Sequence, residues 1–134
     1  KALELLVQAT REAPDQALIW MMRAAVEREI DLKQRAYQSA RQSVSLYPGL
    51  FYAQYLAGKT AFDVQRYKDS LGHLDQADGI IPQVPEVVFY KGRNYEALGQ
   101  RDRAAQAYIF VLQRVGKGEM ARYCYLRLKR WGYI

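Results

Sequence analysis

Two side chains in this sequence have the chemistry of a nucleophile or a general base, and each occurs once. His73 is the only histidine and Cys124 the only cysteine. Positive charge from Arg122 and Arg127 would lower the pKa of the Cys124 thiol and make it reactive. However, Cys124 falls on the apolar side of a predicted helix with no histidine near it in sequence. We therefore expect an inert core cysteine, and we expect His73 to be a partly exposed surface or packing residue.

The acidic residues offer no stronger catalytic candidate. Glu27, Glu29 and Asp31 stand close together beside Lys33 and Arg35, which predicts the solvated face of a helix end. No glycine-rich phosphate loop, zinc-ligand spacing or nucleophile motif occurs. No apolar run approaches the roughly 18 residues of a membrane span. We predict a chain that is not an enzyme by itself and that uses no cofactor and no metal ion.

The positive charge is concentrated in the last third of the chain. The formal net charge is +6, and residues 91–134 contain ten lysines and arginines against three acidic residues. The basic surface predicted there comprises Arg122, Arg127, Lys129 and Arg130. Aromatic residues interleave with these cations, a pattern that suits nucleic acid or another polyanion. Contact with an anionic membrane surface is a further alternative, but we favour a solvated surface or one that faces an acidic protein.

The elements that must position these residues repeat with a fixed period. Pro14, Pro48 and Pro82 stand 34 residues apart. Two sets of small residues keep the same spacing: Ala24, Gly58 and Gly92, and Ala2, Ala36, Ser70 and Ala104. Apolar residues recur at spacings of three and four within each period, which predicts two helices per unit.

The small residues predict how the two helices of a unit pack. A glycine or alanine on one helix and an alanine or serine on the other allow the helices to approach closely. Larger residues such as Trp20, Leu74 and Tyr108 then fill the space around this contact. Because helices this short are marginal alone, each unit depends on its neighbours for burial.

This pattern resembles the tetratricopeptide repeat (TPR) family. The third unit matches best, with Gly92-x2-Tyr95, Ala104-x3-Tyr108 and Val111. The other units contribute Gly58, Ser70-x3-Leu74, Ala77 and Pro82, and Trp20, Ala24, Ala36-x3-Ala40 and Pro48. Arg23, Glu27 and Lys91 depart from the family pattern, which has Leu, Tyr and Leu at these places. The resemblance covers essentially the whole chain and implies an all-α, right-handed solenoid of stacked antiparallel helix pairs.

The period divides the chain into units. We predict full repeats at 17–50, 51–84 and 85–118, preceded by the second helix of a truncated repeat at 1–14 and followed by a capping helix at 119–134. The incomplete first unit suggests a fragment of a longer protein. In the capping helix, Ala121, Cys124, Tyr125 and Leu128 are predicted to be buried.

The first helix is expected to expose apolar surface. Without its partner helix it would expose Leu3, Leu5 and Leu6, so we expect self-association through this edge.

The resemblance also implies where a partner binds, because the first helix of each unit lines the concave side of such arrays. Exposed places there are rich in aromatic and Met side chains, which suit a groove for a protein or peptide ligand. The candidate partner-binding residues are Met21, Met22, Tyr52, Tyr55, Lys59, Phe62, Phe89, Tyr90 and Arg93. Lys59 and Arg93 would pair with acidic groups of the ligand.

The resemblance also bears on the class of ligand and on the kind of protein to which the array belongs. The clamp with which some TPR modules hold a terminal carboxylate requires Lys and Asn, and here Met21 and Ala25 occupy those places. We therefore predict an interaction scaffold that lacks this clamp. An alternative is that the array is the non-catalytic, partner-engaging tail of a multidomain enzyme such as a protease.

Overall fold

The chain is entirely helical. A computed structural model describes all residues from 1 to 134 and contains eight α-helices and no strand. The helices are α1 (Ala2–Glu12), α2 (Ala17–Glu29), α3 (Lys33–Leu46), α4 (Phe51–Asp63), α5 (Tyr67–Ile80), α6 (Pro85–Ala97), α7 (Arg101–Arg114) and α8 (Glu119–Arg130). None of the eight is both long and apolar enough to cross a lipid bilayer.

Consecutive helices pack side by side as antiparallel pairs. Helix α2 packs against α3, α4 against α5, and α6 against α7, while α1 lies on α2 and α8 lies on α7. Neighbouring pairs are joined by contacts of α2 with α4 and of α4 with α6. The prediction of an all-α solenoid of stacked helix pairs is confirmed.

The first helix of each pair ends in the same tight turn. The residue after the helix cap has a positive φ at Asp31 (65°), Gln65 (66°) and Gly99 (77°). In all three turns the next backbone amide donates to the carbonyl oxygen five residues earlier, at 2.8 Å. This left-handed turn satisfies the last carbonyl groups of the helix and reverses the chain. Gly132 (φ 84°) ends α8 in the same way, so α8 has the local structure of a first helix.

The two helices of a pair approach most closely at a glycine. A Cβ atom on Gly58 would lie 2.6 Å from Leu74 Cδ2, and one on Gly92 would lie 2.6 Å from Tyr108 Cε1. Leu74 and Tyr108 are both fully buried. The Ser70 hydroxyl donates to the Gly58 carbonyl oxygen at 2.6 Å, which places the two backbones in near contact. The predicted packing is confirmed at Gly58 and Gly92, where Leu74 and Tyr108 fill the space, whereas Trp20 is only half-buried.

Glu27 is a buried carboxylate, and the expectation of a solvated face is wrong for this residue. Its side chain has no exposed surface and accepts hydrogen bonds from Ser39 Oγ at 2.6 Å and Arg23 Nε at 3.2 Å. Arg23 also donates to Thr10 Oγ1 at 2.9 Å, so the network ties α1 to the first pair. The Arg23–Glu27 pair therefore satisfies its own charges inside the packed interface. The two other acidic residues of the cluster are exposed as expected.

Helix α8 covers the end of the last pair with one side only. Ala121, Cys124 and Leu128 are buried, as predicted. The prediction for Tyr125 is wrong, because its side chain is 46% exposed. Tyr125 lies beside Leu112 at the edge of the contact between α8 and α7, where no further helix covers it. Burial raises the pKa of the Cys124 thiol to about 12, so this cysteine is protonated and unreactive at neutral pH.

His73 belongs to a structural contact rather than to a reactive cluster. Its Nδ1 lies 3.1 Å from Gln54 Oε1, and Gln54 Nε2 donates to the Pro48 carbonyl oxygen at 3.0 Å. The chain of contacts joins α5 to the loop before α4. Burial lowers the pKa of His73, which keeps the ring neutral.

The glycine contact predicts a position-specific response to alanine. Gly92→Ala should lower the free energy of unfolding by about 1–3 kcal/mol, because the new methyl group displaces the buried Tyr108 ring. Gly72→Ala is the matched control, since Gly72 lies in the exposed middle of α5 with no atom within 4 Å of its Cβ position. In this control the free energy of unfolding should rise by up to about 1 kcal/mol, because alanine has a higher helix propensity than glycine. Urea unfolding of both variants measures the difference, and equal effects would contradict the close helix contact.

The neutral state of His73 predicts a loss of stability in mild acid. Below about pH 6.5 the unfolded chain takes up a proton at this ring that the folded chain resists, so unfolding becomes more favourable. We expect the midpoint temperature of thermal unfolding to decrease as the pH is lowered from about 7.5 to about 5.5. In the His73→Gln variant this decrease should be smaller. The chain has no other histidine. An unchanged slope in the variant would show that the ring titrates normally in the fold.

Candidate functional site

Helices α2, α4 and α6 present one continuous surface across the three pairs. We call it the inner face, and it comprises Leu18, Met22, Arg28, Tyr52, Tyr55, Lys59, Phe62, Asp63, Tyr90, Arg93 and Glu96. Helices α2 and α6 belong to pairs that are not adjacent, yet Arg28 Nη2 lies 3.3 Å from the Tyr90 hydroxyl oxygen. The side chains of the outer two helices thus meet over α4, so the inner face is a single surface.

Aromatic rings form the floor of the inner face. Tyr90 packs edge-on against Tyr55, Phe62 and Phe89, with ring centroids 6.1, 5.9 and 5.6 Å apart. Edge-to-face contacts of this kind favour one arrangement of the rings. Because Tyr90 joins rings from α4 and α6, the floor is rigid across the boundary between two pairs.

Phe89 supports this floor from below instead of lining it. Its side chain is 8% exposed and packs with Tyr108 and Tyr123 in the largest core cluster. The sequence-based expectation that Phe89 is exposed to a ligand is therefore wrong. The period places Phe89 one residue from Tyr90 on the same helix, and only the packing of α8 decides that Phe89 is covered.

The accessible apolar part of the inner face lies toward its α2 end. Met22 is 51% exposed, Leu18 one turn before it on α2 is 56% exposed, and Tyr52 at the start of α4 is 45% exposed. Met21 is partly buried against the cluster around Ala24. Together these exposed side chains form more than the single scattered apolar residue that is common on a protein surface.

Two salt bridges on the inner face each link a helix of one helix pair to a helix outside that pair. Arg28 Nε lies 2.8 Å from Asp63 Oδ2 and links α2 to α4. Arg127 Nε lies 2.8 Å from Glu96 Oε2 and links α8 to α6. Burial opposes the charge of Arg28, but the hydrogen bond and the negative charge of Asp63 outweigh it and raise its pKa. Both arginines therefore stay charged and hold adjacent units together.

Lys59 and Arg93 are the cations of the inner face that have no such partner. No carboxylate oxygen lies within 4.0 Å of either charged group. Lys59 Nζ lies 4.5 Å from the ring centroid of Tyr55. Arg93 Cζ lies 4.7 Å from that of Phe62 and 5.0 Å from that of Tyr123. Both cations thus rest on aromatic rings, which attract them through their π-faces.

The basic surface predicted near the end of the chain is divided in two. Arg122, Lys129 and Arg130 are exposed along the outer side of α8. Arg127 lies on the opposite side, where it contacts Glu96 and the Tyr123 hydroxyl, so its assignment to the basic surface is wrong. Sequence reasoning missed that Arg127 and Tyr123 extend the inner face, although Arg127 keeps the 34-residue spacing of Lys59 and Arg93.

The chain contains no cluster with the geometry of a catalytic or metal centre. No group of three or more His, Cys, Asp or Glu side chains is placed to hold a metal ion. His73 lies on α5 beside Gln54, and Cys124 lies on the buried side of α8 in the last core cluster. Neither has a carboxylate hydrogen-bonded to it that would orient it for proton transfer.

Comparison with known proteins identifies the fold. No protein-family model matches the sequence, and a search of curated proteins finds no match either. Among solved structures, the chain is similar to the crystal structure of MamA, with a TM-score of 0.85 and 18% identity over 97% of this chain and 77% of that one. A second MamA structure has a TM-score of 0.76 and 20% identity over 83% of this chain, which spans 61% of that one.

A structure described as a TPR protein has the same arrangement of helices. It is TTC0263, a thermophilic TPR protein in Thermus thermophilus, with a TM-score of 0.79 and 18% identity. The match covers 97% of this chain and 73% of that one. Identity this low establishes a shared fold and leaves the ligand open. The stacked pairs, their glycine contacts and these similarities together give this chain the fold of the tetratricopeptide repeat proteins.

Proposed function

We propose that the chain is a protein-interaction scaffold that holds a peptide or protein segment against its inner face. The observation that carries the proposal is the accessible group of Leu18, Met22 and Tyr52 on a rigid aromatic floor. Apolar groups exposed together on a solenoid surface favour association, because a partner removes them from water.

The proposed mechanism is rigid presentation without chemistry. Stacked pairs hold the contact side chains in place before the ligand arrives, so little conformational entropy is lost on binding. Tyr52 and Met22 then act as anchors, while Tyr55, Phe62 and Tyr90 provide a shaped surface between them. Binding is the activity that this arrangement of apolar and cationic side chains supports best.

A comparison of two equally exposed tyrosines tests this proposal. Twelve-residue peptides selected for binding from a random library should lose about tenfold or more in affinity with Tyr52→Ala, the loss typical of an anchor residue. Tyr125→Ala is the matched control, since Tyr125 is 46% exposed against 45% for Tyr52. Isothermal titration calorimetry of each variant gives the affinities.

The same titrations would also show whether the ligand binds to the basic outer side of α8 instead of the inner face. Affinity that falls with Tyr125→Ala and Arg130→Ala, and that drops steeply with salt, would contradict the inner-face proposal. That result would favour a polyanion or an acidic protein bound to the outer side of α8.

We also propose that α1 mediates self-association, on the basis of one side chain. Leu5 is 73% exposed, more than any other large apolar residue of the chain. Leu3 and Leu6 are only partly buried by α2. Helix α1 is packed on one side alone, so a second molecule can cover the other.

Sedimentation velocity at increasing protein concentration tests this second proposal. The native chain should associate, whereas Leu5→Gln should remain monomeric because its apolar contact is lost. Leu126→Gln, at the other end of the stack with 51% exposure, should associate like the native chain. A native chain that stays monomeric at its highest soluble concentration would contradict the proposal.

A further inference from the structure

Lys59 and Arg93 lack carboxylate partners even though each has an acidic residue within about one turn on its own helix. Asp63 follows Lys59 by four residues on α4, and Glu96 follows Arg93 by three residues on α6. At these spacings side chains on a helix are neighbours and opposite charges commonly pair. The absence of both pairs therefore needs a structural reason.

The reason is that neighbouring helices hold both carboxylates. Asp63 faces Arg28 of α2 at 2.8 Å. Glu96 faces Arg127 of α8 at 2.8 Å and accepts hydrogen bonds from the hydroxyls of Tyr108 at 2.7 Å and Tyr123 at 3.1 Å. The inner face thus uses its two central carboxylates to join units and leaves its two central cations unpaired.

The surroundings of Lys59 make the missing counter-ion energetically significant. The side chain is half-buried, and burial together with the positive charge of Arg28 lowers its pKa. A partly desolvated ammonium group with no hydrogen-bond acceptor is unfavourable. A carboxylate supplied by a ligand would restore the lost interaction and is favoured for this reason.

Arg93 is presented to a ligand in a fixed orientation. Its guanidinium carbon lies over the rings of Phe62 and Tyr123, 4.7 and 5.0 Å from their centroids. Its N–H groups form no hydrogen bond with another residue of the chain. A guanidinium that is stacked on rings and free at its edge can bind a carboxylate through two parallel hydrogen bonds.

The remaining acidic groups of this region do not compete for the two cations. Glu86 is exposed at the start of α6, two turns or about 10 Å along the helix from Arg93. Glu29 is exposed at the end of α2, beyond Arg28. Neither forms an ion pair, so the central part of the inner face keeps a local excess of positive charge.

We propose that Lys59 and Arg93 form a subsite for two acidic side chains of an extended peptide segment. The subsite rests on the proposed function, because it uses the same inner face. Adjacent helices pack about 8–10 Å apart. An extended segment in the polyproline II conformation advances about 3.1 Å per residue and points every third side chain to the same side. The subsite therefore selects acidic residues three positions apart, with apolar residues between them that contact Phe62 and Tyr90.

Three synthetic peptides with blocked ends and one apolar framework test the subsite. The first carries Glu-Leu-Leu-Glu, the second Gln-Leu-Leu-Gln, and the third two adjacent glutamates followed by two leucines. Fluorescence anisotropy should show that the native chain binds the first peptide about tenfold more tightly than either other, a preference of about 1.4 kcal/mol. Higher salt should reduce this preference, because both charge pairs are partly exposed.

Variants of the chain supply the second half of the test. The double variant with Lys59→Gln and Arg93→Gln should lose the preference for the first peptide and keep its affinity for the second. A control double variant with Lys68→Gln and Arg103→Gln removes the same charge from exposed sites on α5 and α7, and it should keep the preference. The comparison among peptides on the native chain decides the question even if a variant is poorly folded.

The outcomes separate this inference from the proposed function. Equal binding of the glutamate and glutamine peptides, sensitive to Tyr52→Ala, would overturn the acidic subsite and leave the inner-face groove standing. Equal binding of the two glutamate peptides would overturn the three-residue spacing. Failure of all three peptides to bind the native chain would count against both proposals.

Discussion

The close contact between the two helices of a pair is the constraint on which the rest of the structure depends. Gly58 and Gly92 leave no room for a side chain, and Leu74 and Tyr108 fill the space beside them. Because the helices meet at backbone distance, their rotation and register are set together. The direction of every side chain on the inner face follows from this register, including the two cations that face outward over their aromatic rings.

The ion pairs of the inner face connect stability to recognition. A carboxylate that joins two units cannot also neutralise the cation beside it on its own helix. Asp63 and Glu96 form ion pairs that join two units, so Lys59 and Arg93 have no carboxylate partner within the chain. Lys59 and Arg93 keep the 34-residue period, whereas the carboxylates that join the units, Asp63 and Glu96, are 33 residues apart and fall outside it. The same arrangement explains why a single repeat would lack the site, because each joint needs a neighbouring unit.

Much of the fold could be predicted from the sequence, and the errors share one cause. The helices, their pairing and the glycine contacts follow from a local pattern repeated three times. Phe89, Tyr125 and Arg127 were misplaced because their exposure depends on α8, which packs on one side only and departs from the strict period. Glu27 was misplaced because the helix that covers it, α3 with Ser39, meets α2 only in the folded chain.

The sequence by itself determined the class of structure, because periodic small and apolar residues admit one way of burying helices this short. It also determined that Lys59, Arg93 and the aromatic residues share a face, since one period places them on equivalent turns. Only the tertiary structure decided which charges are paired, because Arg28 and Arg127 reach their carboxylates across boundaries between units. A long charged side chain has several possible partners within reach, and the packing of the folded chain determines which of them it contacts.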